Sequence, residues 1–470
     1  MSKNIHWLFT IIFSIMIVSC VDLNNAESNI PLENVGSNDD NSDSDEIEDE
    51  EEEEEEYTSL NNTIVPEYSN FNQNIIWENV FTDGPPGKVN RAVVDSNGDA
   101  AVVFMPDNQT RVLKINGVTG EKVWSKSFDN TVGFGISEII DGDNIDYIVS
   151  GGIGETQERW VARLSGVDGS EMWSKTYPFD GNEYQYDAVR MTIVGSDNYI
   201  YGSGFVQGGD NETIFMVYGG KAMIIKIDPS DGSEIWTTLN ANSEYALAVV
   251  ESSSGDLYYG GFSSKSDLLT LSKLDRNGQE IWTEMLENTE RILPYDMTID
   301  RSDIIYYGGH TGRRGAGYPY DYTCIKLDTD ANISWIKHYG NPRGYDMEYI
   351  RSELYGVKVN SFGIFLFGGT GDESSSFSES SSTYLSSDVW NGWVLIIDPD
   401  GNILQSDVFC QENVNTATEY GSLTDDGYMI FNDTDAFGDT EVGVIKVKLE
   451  NDSDSKNHLS PAAETKITLP

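Results

Sequence analysis

One unit recurs through this chain from about residue 74 to residue 450. It is an alternating apolar strand ending in a glycine pair, a loop of variable length, a strand ending in Lys-x-Asp, a tight turn, and a strand carrying tryptophan. Its second half reads LKINGVTGEKVWSKSF from Leu113, ARLSGVDGSEMWSKTY from Ala162, IKIDPSDGSEIWTTLN from Ile225, SKLDRNGQEIWTEML from Ser272, IKLDTDANISWIKHYG from Ile325 and IIDPDGNILQSDVF from Ile396. Its first half reads YIVSGG from Tyr147, YIYGSG from Tyr199, LYYGG from Leu257, IIYYGG from Ile304 and IFLFGG from Ile364, with weaker copies at AAVVF from Ala100 and YMIFND from Tyr428. A further alternating strand leads into each copy, for example AVRMTIVGS from Ala188.

Four short strands in about 50 residues, repeated around a ring, is the pattern of a propeller blade. The seventh copy ends with EVGVIKVKLE at Glu450, without its tryptophan strand, while NIIWENVF from Asn74 stands alone before the first copy. Inner and outer strands balance only if that N-terminal strand completes the last blade. The expected fold is therefore all-β, a seven-bladed β-propeller of four-stranded antiparallel blades over residues 74–450, closed by a strand near residues 74–81.

This frame gives most chemically attractive residues a structural task. Trp77, Trp124, Trp173, Trp236, Trp282 and Trp335 share one repeat position, where Gln405 stands in the sixth copy, so they are expected to pack blades together. The glycine pairs permit close backbone approach, and the Asp-Gly and Asn-Gly steps are hairpin turns. Asp398-Pro399-Asp400-Gly401 looks like the start of a calcium loop but lacks the distal Glu that would complete one. No metal-ligand spacing, phosphate loop or serine-nucleophile elbow is present, and no cofactor or metal is expected.

The ends of the chain carry an address. Residues 1–20 begin with Lys3, run apolar from Trp7 to Val18 and end in Ile17-Val18-Ser19-Cys20, a secretory signal too short for an ordinary transmembrane helix. That ending resembles the bacterial lipobox, which implies lipidation of Cys20; Val21 rather than Asp after it points to the outer membrane. Residues 21–73 read as a disordered tether, because 14 of the 18 positions from Asp39 to Glu56 are acidic and the block repels itself. Residues 451–470 read as a polar tail. With 29 Lys+Arg against 79 Asp+Glu and a net charge of −50, nucleic acid is excluded as a partner.

The Leu-Asp-x-x-Gly-x-x-x-Trp half of the unit resembles the PQQ-like repeat, and GGHTGRRGAGYPYDYTCIKLDTDANISW from Gly308 is similar to the bacterial propeller repeat called SBBP. Both resemblances imply a propeller and leave activity open. The adjacent-cysteine pair of the PQQ dehydrogenases is missing, since Cys324 and Cys410 are far apart, so quinone chemistry is not implied.

In a four-stranded blade, the loop between second and third strands and the connection to the next blade open on one rim. The long segments Gln207–Gly220, His310–Tyr320 and Gly371–Gly392, with the connections Pro178–Tyr186 and Gly340–Tyr349, all belong to that rim, which marks it as the recognition face. Six of the chain's twelve arginines fall between Arg291 and Arg351. Of these, Arg313, Arg314 and Arg343, together with Tyr345 and Trp390, are the candidate ligand contacts: guanidinium forks for carboxylate or sulfate, aromatic faces for sugar rings. The alternative is that these arginines neutralise Asp321, Asp346 and Glu348.

The leading expectation is a lipid-anchored, surface-exposed binding or scaffold module whose ligand is an anionic polysaccharide or a protein. Two alternatives stand beside it. One is a polysaccharide lyase using His310 as base, Tyr318 or Tyr320 as acid and arginine to neutralise a uronate. The other is a periplasmic assembly scaffold, by similarity to the PQQ-like lipoprotein of outer-membrane protein assembly.

Overall fold

The computed structural model describes residues 63–449, except 67–69, 71–72, 83, 85–86, 107–108, 155–157, 180–185, 209–219, 291, 312–320, 341–349, 373–389, 410–415 and 435–440. Seven four-stranded antiparallel blades make up the ring, six of them of strands consecutive in the chain, and no helix occurs among the described residues. Blade 1 is Lys88–Val94, Ala100–Met105, Gln109–Ile115 and Lys122–Asp129; blade 2 is Thr131–Asp141, Asn144–Ile153, Arg159–Leu164 and Glu171–Tyr177. Blade 3 is Tyr186–Val194, Ile200–Gly208, Lys221–Ile227 and Glu234–Asn240; blade 4 is Tyr245–Glu251, Leu257–Ser263, Leu268–Leu274 and Glu280–Met285. Blade 5 is Ile292–Ile299, Ile305–Thr311, Tyr322–Leu327 and Ile333–Tyr339; blade 6 is Ile350–Val359, Ile364–Asp372, Trp390–Ile397 and Ile403–Phe409. Blade 7 takes Thr416–Thr424, Gly427–Thr434 and Glu441–Lys448 from the end of the chain and its outer strand, Ile75–Phe81, from the beginning. The seven first strands touch one another in sequence around the axis, the last touching the first, so they line the bore.

The tryptophan position works as a clamp between blades. At four of the six tryptophans an indole and a third-strand cation donate to one carbonyl in the next blade's turn, whereas Trp236 Nε1 is buried without a hydrogen-bond partner. Trp77 Nε1 (3.2 Å) and Lys446 Nζ (2.8 Å) share the Gly117 oxygen; Trp124 Nε1 (3.1 Å) and Lys114 Nζ (3.1 Å) share that of Gly166. Trp173 Nε1 (2.9 Å) and Arg163 Nη1 (3.0 Å) share Pro229, and Trp335 Nε1 (3.2 Å) and Lys326 Nζ (2.8 Å) share Pro399. The Lys-x-Asp motif and the tryptophan are thus two halves of one device. Between the blades the core divides into apolar clusters built from facing sheets.

The glycine pairs have an equally specific cause. In every blade the first strand carries a β-bulge at the same place, with Asn90, Phe134, Arg190, Leu247, Tyr295, Tyr355 or Glu419 as the residue at which the register shifts. In blades 2 to 6 the residue facing the bulge is Gly151, Gly204, Gly261, Gly309 or Gly368. A Cβ there would overlap the carbonyl oxygen of Val132, Ala188, Tyr245, Leu293 or Glu353, which the bulge turns inward.

Ordered pairing begins earlier than residue 74. Thr63–Ile64 runs parallel to the outer strand of blade 5 beside His338 and Tyr339, and Gly340 N donates to the Ile64 oxygen at 2.9 Å. Asn70 then bridges to blade 6, its N donating to Ser406 (2.7 Å) and its carbonyl accepting from Val408 N (3.1 Å). Residues expected to close the tether therefore cross two blades before the closing strand begins.

Candidate functional site

Antiparallel order puts the second-to-third strand connections and the blade-to-blade connections on one rim, and the five long segments attach there. The segments themselves fall mostly outside the described residues, and with them Arg313, Arg314, Arg343, Tyr345, Tyr318 and Tyr320. Trp390 opens the third strand of blade 6, its backbone opposite Gly371. Cys20 and Cys410 also lie outside the described residues.

Two described members of the sequence-defined group sit elsewhere. Arg301 is exposed in the turn between the first and second strands of blade 5, on the opposite rim, so the run from Arg291 to Arg351 is not one spatial cluster. His310, expected on a loop, is the sixth residue of the strand Ile305–Thr311, paired with Leu293 and Tyr322 and fully buried. Its ring stacks on Tyr295 at 5.0 Å, and Nδ1 lies 3.2 Å from the Thr311 oxygen. A side chain sealed inside a blade cannot reach a proton on a polymer outside it. His338 pairs its Nδ1 with Thr323 Oγ1 at 2.9 Å, and burial lowers its pKa, which keeps the imidazole neutral. Asp321, proposed from sequence as an arginine's partner, accepts from Thr63 Oγ1 at 2.8 Å; burial raises its carboxyl to about 6.

The bore beneath this rim holds charges that sequence reading did not single out. Asp296 of blade 5 is inaccessible to solvent and accepts from Arg91 Nη1 of blade 1 (3.1 Å), Lys358 Nζ (2.9 Å) and Val357 N (3.0 Å) of blade 6, and Tyr420 Oη of blade 7 (2.9 Å). Tyr420 Oη in turn accepts from Arg91 (2.9 Å) and Lys358 (2.7 Å). Burial pushes the Asp296 carboxyl up, but Lys358 and Arg91 outweigh it and hold the pKa at about 2. Because blades 1 and 5 are not neighbours, the Arg91–Asp296 pair reaches across the bore near the middle of the first strands.

One residue nearer the long-loop rim stands the ring of bulged residues. Arg190 lies over Phe134 at 4.3 Å, and Tyr295 meets Tyr355 edge-on at 5.0 Å. Arg190, Tyr295, Tyr355, Glu419 and Asn90 are half-buried, whereas Asp296 behind them has no exposure. The signal that could have found this ring is the glycine pair: in blades 2 to 6 the bulged residue follows the partner of the glycine that accommodates it.

No protein-family model matches the chain, and no curated protein sequence matches it. Among solved structures it is similar to the hydrazine synthase of Kuenenia stuttgartiensis, at 12% identity over 75% of this chain and 94% of that chain, with a TM-score of 0.50. The WD40 β-propeller domain of Doa1 aligns at 12% identity over 79% of this chain and 96% of that one, TM-score 0.47. The Dos1 propeller aligns at 10% identity over 77% and 78%, TM-score 0.45. At such identities likeness speaks to the fold alone.

Proposed function

We propose that this chain is a lipid-anchored binding or scaffold propeller, displayed at the cell surface from the outer membrane through Cys20 and the acidic run Asp39–Glu56, with its ligand on the long-loop rim. One observation carries the reading: five long connections attach to one rim of a ring whose blades are otherwise complete. Loops of variable length on a rigid scaffold are where recognition concentrates. The ligand class argued from Arg313, Arg314, Arg343, Tyr345 and Trp390 is a carboxylated or sulfated polysaccharide. The repeat resemblances to PQQ-like and SBBP propellers accord with a binding role. The burial of His310 favours binding over lyase chemistry, since the candidate base has no access to substrate.

Affinity electrophoresis of the protein through gels containing uronate-bearing and sulfated polysaccharides tests the ligand class. Retardation by one polymer, abolished in Arg313→Ala and retained in His310→Gln, is the expected result. Equal migration in all gels would send the search to protein partners, and ultraviolet-absorbing unsaturated product would restore the lyase. Digestion of the protein by protease added to whole cells tests surface display.

A further inference from the structure

Ahead of the closing strand, the chain touches the ring at two stations, and at each a side chain reaches a buried carboxyl group. At blade 5, Thr63 Oγ1 donates to Asp321 Oδ2 at 2.8 Å, and Gly340 N donates to the Ile64 oxygen. At blade 6, Asn70 Nδ2 donates to Asp407 Oδ1 at 3.0 Å, its N donates to the Ser406 oxygen, and its carbonyl accepts from Val408 N. Gln73 Nε2 adds bonds to the carbonyls of Asn70 (2.7 Å) and Val408 (2.9 Å). Asp321 keeps 5% of its surface and Asp407 none. Each of the seven blades has its four strands without this strap.

Among the described residues, no cation and no second carboxyl acts on either group. Beside Asp321, His338 pairs its Nδ1 with Thr323 and is kept neutral by burial, while the hydroxyls of Tyr322 and Tyr339 turn to the Trp393 and Gly401 carbonyls of blade 6. Asp407 Oδ2 accepts from Gln405 Nε2 and Tyr428 Oη, both at 2.6 Å, and burial holds that tyrosine protonated. Burial outweighs these neutral donors and lifts both carboxyls to about 6. Lifting Thr63 or Asn70 uncovers the carboxyl on the side that the strap occupies, and a hydrated aspartate titrates near 3.9. The seated strap therefore binds protons that the lifted strap gives up. Seating is favoured in acid and loses about ten-fold per carboxyl between pH 5 and 7.5.

We propose that the strap carried by Thr63, Ile64, Asn70 and Gln73 is a pH-operated latch, seated on blades 5 and 6 through Asp321 and Asp407 in acid and released as pH rises, with the seven blades intact in both states. Where the chain hangs from Cys20, a reading on which the latch itself does not rest, release lengthens the tether. Residues 63–74 then add about 40 Å of extended chain between anchor and ring.

The test is hydrogen–deuterium exchange of the full chain at pH 5 and pH 7.5, read as protection relative to the intrinsic rate at each pH. The Gly340 and Val408 amides report the two stations, because strap carbonyls are their acceptors; the Leu286 amide, bonded to the Leu269 oxygen within blade 4, reports the ring. Protection of Gly340 and Val408 is expected to be about ten-fold lower at pH 7.5 than at pH 5, and at pH 7.5 lower than that of Leu286, so that the strap opens without the ring. Asp321→Asn is expected to remove the fall at Gly340, and Asp407→Asn that at Val408, because asparagine keeps an acceptor but has no proton to lose. If these variants do not fold, Thr63→Val, a change confined to the strap, carries the test: it is expected to lower Gly340 protection at pH 5 about five-fold, the worth of one hydrogen bond. Equal protection at both pH values, a fall that survives in the asparagine variants, strap amides as protected as Leu286 at pH 7.5, or a Thr63→Val protein with wild-type protection at Gly340 overturns the latch.

Discussion

At the scale of single residues, the turn between third and fourth strands is where the repeat is most exacting. Gly169 sits at φ 72° directly on the ring of Trp124, and a Cβ there would meet the indole Cε3 at 2.6 Å. Blade 5 breaks this rule, with Ala331 at φ 63°. Left-handed backbone costs a residue with a Cβ about 1–2 kcal/mol. Gly169→Ala is therefore expected to destabilise by about 1–3 kcal/mol, strain and displaced indole together. Ala331→Gly is expected to gain up to about 1 kcal/mol, reduced by the greater freedom of glycine in the unfolded chain. Urea unfolding of the two variants checks the opposite signs; a loss in both would show that the turn backbone is not what selects glycine.

Among elements, the closing strand and the strap before it differ in rank. Ile75–Phe81 pairs with Glu441–Lys448 from Val442 to Val447 and packs Trp77 and Phe81 against the blade 1 and blade 7 cluster. Truncation of residues 1–62 is expected to leave the unfolding midpoint in urea unchanged, whereas truncation through Phe81 exposes a full strand edge and is expected to yield aggregate on size-exclusion chromatography. A monomeric, equally stable product from the longer truncation would show that closure is dispensable. Closure was legible in the sequence because an orphan tryptophan strand and a copy lacking one are both local patterns. The bore was not legible in that way. Arg91 meets Asp296 across 205 residues and Tyr420 meets Asp296 across 124, a coincidence of ring geometry that no local spacing encodes. His310 was misplaced for a related reason: Gly-His-Thr-Gly reads as a loop, yet its preceding glycines accommodate a bulge, so the strand runs on to Thr311.

For the whole molecule, acidity and burial combine into a pH dependence with a definite sign. Burial raises Asp187, Asp321, Asp407 and Asp433 to about 6, in Asp407 against hydrogen bonds from Tyr428, Asn70 and Gln405. In the unfolded chain each titrates near 3.9, so between about pH 4 and 6 the folded state binds more protons and stability falls as pH rises. Asp296, held at about 2, acts oppositely: its contribution is present above about pH 4 and is lost as pH falls toward 2. Self-repulsion of a net charge of −50 adds to the loss on the alkaline side. Greatest stability is expected near pH 4–5, with a urea midpoint higher at pH 5 than at pH 7.5. Asp407→Asn should flatten that profile by up to about 2 kcal/mol, and a wild-type profile flat from pH 5 to 7.5 would show these carboxyls ionised in the fold. The strap over blades 5 and 6 bears on another property of the same whole. Among the described residues, a pull on the N-terminal end meets the Thr63–Asp321 and Ile64–Gly340 bonds, then the Asn70 bonds to Ser406 and Val408, and then the seam that closes the ring. These bonds lie outside the seven four-stranded blades, so a tug is spent on them before the load arrives at Ile75. A load applied ahead of the first strand would thus reach the closing seam only after this strap had parted, the molecular counterpart of a cable's strain relief.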